Sequence, residues 1–129
     1  MTTQKPLRYD FNTWDGSVEN TSHVIPLKCD PDLFKASAAG KRAYEIRLND
    51  RGFNPGDILI LLETADSGYE MAQGQPLIYT SRQLFKRVVS VLNGFGLQPG
   101  WVVMAVEDLK PEELTKQLVE YGQCAHLAK

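Results

Sequence analysis

The chain has 129 residues, 43% of them hydrophobic and 23% charged, a balance that fits one globular domain and excludes a disordered or fibrous chain. Lys and Arg number 14 against 16 Asp and Glu, a formal charge of -2, which excludes an overall basic coat for wrapping duplex nucleic acid. Charge is nevertheless uneven. Residues 35–51 gather Lys35, Lys41, Arg42, Arg47 and Arg51 against Glu45 and Asp50, so a locally basic surface is expected there.

Taken in chain order, residues 1–22 show no sustained period and read as a loosely ordered arm, although Tyr9, Phe11 and Trp14 alternate enough to dock. The arm is polar and lacks the apolar core of a signal peptide. No apolar run along the chain approaches the ~20 residues that cross a bilayer, so a cytoplasmic protein without membrane attachment is expected. His23 to Cys29 reads as a first strand. Asp30-Pro31-Asp32 then offers an N-cap, a proline at the first helical position and an acid in the first turn. Leu33, Phe34, Ala38 and Ala39 carry that helix to Gly40, a left-handed stop.

Ala43 to Leu48 alternates, with Tyr44, Ile46 and Leu48 on one face and Glu45 and Arg47 on the other. Asn49 to Gly52 and Asn54-Pro55-Gly56-Asp57 are turn chemistry, the second with Pro and Gly at the centre of a type II turn. Ile58 to Leu62 is apolar on both parities, as in a strand covered on both faces. Residues 63–76 read as a polar loop. Residues 83–92 fit an amphipathic helix or a strand; with Ile78-Tyr79-Thr80 before them, the strand reading makes one long curved element. Trp101 to Val106 is a further buried strand launched by Pro99-Gly100. From Pro111, Leu114, Leu118 and Tyr121 recur at helical spacing, with Gly122 as the stop.

The expected class is therefore α+β: a small, curved or barrel-like, mostly antiparallel sheet over 23–109, with one helix near its start. Residues 110–129 would add a C-terminal helix packed on or beside it. Cys29 and Cys124 lie in no CxxC context and read as two reduced thiols. His23 and His126 have no second ligand at metal spacing. No GxxxxGK[ST], GxGxxG or GxSxG occurs, so neither a metal nor a cofactor is expected.

The densest polar cluster is Gly40-Lys41-Arg42-Ala43-Tyr44-Glu45-Ile46-Arg47. Glu45 and Arg47 share a strand face about 7 Å apart and could line a groove. Arg47 would grip a phosphate, while Glu45 accepts from a base amino group or fixes Arg47 in place. The alternative is an exposed ion pair worth at most about 1 kcal/mol, with no ligand.

The strings AAGKRAYEIRLNDRGFNPGDILIL, YTSRQLFKRVVSVL and GWVVMAVEDL resemble the ASCH family of the PUA-like superfamily, in a bacterial and phage branch of unknown function. Its hallmark GxKxxExR is met by Gly40, Glu45 and Arg47, with Arg42 in the lysine position. The resemblance spans about His23 to Asp108. It implies a PUA-like β-barrel with a cleft beside the first helix that binds RNA, single-stranded nucleic acid or a nucleotide; a monomer is expected. Carried over by position, Arg42, Glu45 and Arg47 would line the cleft, with Asn49, Asp50 and Arg51 at its rim; Lys41, from the same basic cluster, is expected to join the nucleic-acid contacts. Tyr79 would stack on a base and Arg82 would touch phosphate.

Some ASCH-like proteins resemble enzymes that deacetylate a modified cytidine with a lysine and a threonine in this hallmark. Arg42 and Glu45 stand at those positions here. An arginine stays protonated near neutral pH and a carboxylate is not a hydroxyl nucleophile. A hydrolase of a modified nucleobase or nucleoside would therefore need Glu45 as general base. A third expectation is a phage-related interaction module whose terminal helix docks a partner protein.

Overall fold

The structure, a computed structural model, describes residues 12–13, 23–109 and 112–113. The class is α+β. Six strands, β1 (Asn12–Thr13), β2 (Val24–Cys29), β3 (Tyr44–Leu48), β4 (Ile58–Thr64), β5 (Tyr79–Asn93) and β6 (Trp101–Asp108), accompany helices α1 (Pro31–Ala38) and α2 (Gly68–Ala72). Five strands form one curled sheet in the order β2-β4-β5-β6-β3, while β1 pairs with β5.

Four of these five pairings are antiparallel, but β2 and β4 run parallel. The sheet is therefore a curled, mixed half-barrel, mostly antiparallel as the sequence suggested, with β2 and β4 forming its one parallel ladder among the described residues. Chain direction explains the mixture. The chain leaves β2 through α1, crosses to the opposite edge as β3 and returns as β4 beside β2. Among the described residues, β2 and β3 remain the two edges of the sheet, with no ladder between them.

Local chemistry sets these boundaries. Pro31 opens α1 after Asp30, and Phe34 turns its ring into the core. The Asn54–Asp57 turn closes with Asp57 N–H donating to the Asn54 carbonyl at 3.1 Å, and Gly56 takes the φ of +93° that a type II turn requires. Asp57 is fully buried: its Oδ1 accepts from His23 N–H and its Oδ2 from Asn54 N–H. This carboxylate ties the turn to the start of β2.

Residues 83–92 lie within a single long strand, β5, whose register shifts beside Val88–Ser90 and opposite Leu62–Thr64. Such bulges bend a strand and let a sheet curl. The expected polar loop at 63–76 is corrected in part. β4 runs on through Thr64, and Ser67 caps α2 by accepting from Glu70 N–H while Glu70 Oε1 accepts from Ser67 N–H.

The core lies in the concavity. Ile25 and Leu27 from β2, Leu59 and Leu61 from β4, Val88 from β5, and Val102, Met104 and Val106 from β6 meet Phe34 and Phe53 there. Each such burial contributes about 1.5–3 kcal/mol against exposure. The C-terminal helix expected from Pro111 falls outside the described residues, save that Glu112 and Glu113 are helical. The arm expected over 1–22 is also outside them, apart from β1. Among the described residues no helix is long and apolar enough to cross a membrane.

Candidate functional site

β3 alternates as its sequence implies, with an unusual assignment of faces. Tyr44, Ile46 and Leu48 are 44–47% exposed, whereas Glu45 has no exposed surface. The inner neighbours of Glu45 and Arg47 in register are Met104 and Val102, both buried. A carboxylate in that position requires partners, because an unpaired buried charge costs several kcal/mol. It has them. Glu45 Oε1 accepts from Arg47 Nε at 3.0 Å and Nη2 at 2.9 Å, and Oε2 accepts from Arg42 Nη1.

Arg42 is itself buried. Its Nη1 also donates to Ser37 Oγ on α1, and its guanidinium carbon lies 5.2 Å from the centre of the Tyr44 ring. Arg47 differs, for its side chain keeps 23% exposure. Its Nη1 has no partner among the described residues, so both Nη1 N–H groups and the second of Nη2 remain available.

Arg47 opens onto a groove of about 630 Å³ between the two edge strands. Pro26, Leu27 and Lys28 of β2 form one side, and Ile46, Arg47 and Leu48 of β3 the other. Asp50, Arg51 and Phe53 from the following loop, with Leu62, Tyr79 and Trp101, complete it. Arg51 spans toward β2, its Nη1 donating to the Pro26 carbonyl at 3.3 Å. Three cations, Lys28, Arg47 and Arg51, thus share the wall with one carboxylate, Asp50. Half-exposed Tyr79 and partly buried Trp101 supply aromatic surface beside them.

Of the residues singled out in the sequence, Arg47, Arg51 and Tyr79 come together at this groove, and Asp50 with them. Arg42 and Glu45 stand behind the wall and do not line it. Lys41 is exposed on the turn after α1, outside the lining. Asn49 shapes the loop, its Oδ1 accepting from Phe53 N–H at 2.9 Å. Arg82 is engaged elsewhere: its Nε and Nη2 donate to the carboxylate of Glu63, to which Thr80 also donates. That bonding holds the Glu63 carboxyl below its ordinary range. No residue of α1 lines the groove, so it lies at the open seam and not beside the first helix.

Lys28, Phe53 and Trp101 were not anticipated. Lys28 follows from alternation against Ile25, Leu27 and Cys29. Trp101 is opposite Leu48 in register, a pairing that sequence alone does not reveal.

The groove falls within one recognisable unit. Residues 23–106 match the family model described as a domain of unknown function, DUF3850. The chain belongs to this family. A search of curated proteins finds no match. The DUF3850 match begins just before β2 and ends within β6, so it contains every described residue that lines the groove. It contains the Glu45 pairing as well. Among the described residues of the domain, no group of His, Cys, Asp and Glu could hold a metal ion.

Proposed function

We propose that this DUF3850 domain binds single-stranded nucleic acid, RNA foremost, or a nucleotide, in the groove between β2 and β3. We read its half-barrel as a PUA-like barrel of the ASCH type left open at that seam, working in the cytoplasm as a monomer. The observation that carries the reading is Arg47: clamped from behind by a fully buried carboxylate, with Nη1 directed to no protein partner among the described residues. A guanidinium fixed in this way loses little freedom when it meets a phosphate.

Lys28 and Arg51 give the phosphodiester chain further positive charge on the same wall. Tyr79 and Trp101 offer faces on which bases stack whatever their identity. In this reading Glu45 is a positioning residue. Both of its oxygens are occupied by guanidinium groups and none of its surface is exposed, which leaves a hydrolytic substrate no approach to it. The partner-docking helix with Leu114, Leu118 and Tyr121 lies outside the described residues.

Fluorescence anisotropy of labelled single-stranded RNA tests the proposal. Arg47→Ala should weaken binding about 10- to 100-fold, the worth of a charged hydrogen bond, and Lys41→Ala should not. Equal affinity of parent and Arg47→Ala removes the groove as the binding site.

A further inference from the structure

A second hollow, of about 320 Å³, adjoins the first and is walled by Ile46, Gly96, Leu97, Gln98 and Trp101. Ile46 and Trp101 belong to both. The two spaces differ in chemistry. Among the described residues, the larger carries all the charge, while the smaller has no ionisable side chain and only the Gln98 amide and the Trp101 indole N–H as polar side-chain groups. A phosphate would meet no cation there among the described residues, so the smaller hollow suits an uncharged, flat, apolar group with hydrogen-bonding edges. Nucleobases have that character.

We propose that the two hollows form one track, and that its ligand is a single-stranded oligonucleotide of at least two nucleotides and not a free mononucleotide. One phosphate lies at Arg47 and Arg51, and a neighbouring base enters the uncharged hollow against Trp101, with Gln98 at its edge. The assignment rests on the nucleic-acid reading of the larger groove and deepens it. Trp101 is held for this task between the left-handed Gly100, with φ of +88°, and its cross-strand neighbour Leu48. The volume of the second hollow fits one nucleoside at the small end of ordinary ligand pockets.

Isothermal titration of the full chain with adenosine monophosphate, the adenosine dinucleotide and the hexamer, and with their uridine counterparts, provides the test. Affinity should rise at least about 10-fold from mononucleotide to hexamer, the gain expected of one additional stacked base. Leu97→Glu, which sets a carboxylate in the uncharged hollow, should remove that gain and leave mononucleotide affinity unchanged, which also shows that the variant folds. A hexamer no tighter than the mononucleotide, or a hexamer indifferent to Leu97→Glu, overturns the track while the groove reading stands. If neither mononucleotide nor hexamer binds, the groove reading falls and the track with it.

Discussion

Glu45 places two donors of Arg47 on a single carboxylate oxygen, at 3.0 and 2.9 Å, and leaves its second oxygen to Arg42. Residues two apart on a strand share a face, and the arginine folds back along it to meet its neighbour. The result is a buried carboxylate between two guanidinium groups, one sealed inside and one at the groove wall. Removing the carboxylate would leave Arg42 buried with Ser37 Oγ as its one hydrogen-bond acceptor among the described residues, beside the Tyr44 ring. Glu45→Ala should cost about 3–5 kcal/mol of stability, as for one member of a buried pair, measured by urea unfolding. A loss below about 1 kcal/mol, the worth of an exposed pair, would show that the charges are not sealed.

Acid should weaken a different ion pair. The Glu63 carboxyl lies below its ordinary value of 4.5 because Arg82 and then Thr80 donate to it, against the opposing effect of burial. A depressed folded value means that this contribution is complete above 4.5 and fades as pH falls through the folded value. Wild type should therefore exceed Arg82→Gln in denaturant midpoint at pH 7, and the gap should close as pH falls below 4.5 and through the lowered folded value. A gap that widens on acidification contradicts the assignment.

Cys29 is a free, buried thiol whose value is raised from 9.0 to about 11, chiefly by burial and then by the Glu45 charge, with Arg47 and Arg42 opposing. Reaction requires the thiolate. In a Cys124→Ser background, Cys29 should resist a disulfide reagent at pH 8 in the folded protein and react promptly after unfolding. Prompt reaction without denaturant contradicts a sealed core at this point.

Much of the fold was legible because its signals are local. The Asp30-Pro31-Asp32 start, the Asn54-Pro55-Gly56-Asp57 turn and the two-sided hydrophobicity of Ile58 to Leu62 each act within a few residues. The capping box at Ser67 and Glu70 was equally local and marks α2 inside a segment whose polarity suggested only a loop. The edge positions of β2 and β3 were not legible, since they depend on pairings between distant segments. For the same reason the alternation of β3 showed that Glu45 and Arg47 share a face but not how deeply each is buried. Arg42 illustrates the cost: a cation beside a hallmark glutamate reads as a ligand contact, whereas Ser37 on α1 and Glu45 already hold it.

Binding should depend on salt to a limited extent. Single-stranded nucleic acid releases counterions with a log–log slope of about -0.7 for each phosphate neutralised. Lys28, Arg47 and Arg51 therefore predict a slope of about -2, and Arg51→Ala should reduce its magnitude by about 0.7. Affinity that ignores salt, or falls much more steeply, would place the contact on another surface.

The most direct measurement is amide and side-chain chemical-shift mapping of the isotope-labelled chain with a short single-stranded RNA. Perturbations should cluster at Lys28, Arg47, Arg51, Tyr79 and the Trp101 indole, with the Arg47 guanidinium among the largest, and those at the other positions should need about 10- to 100-fold more RNA in Arg47→Ala. Shifts confined to the outer side of β5, or a spectrum unchanged at saturating RNA, would contradict a ligand seated between the two free strands.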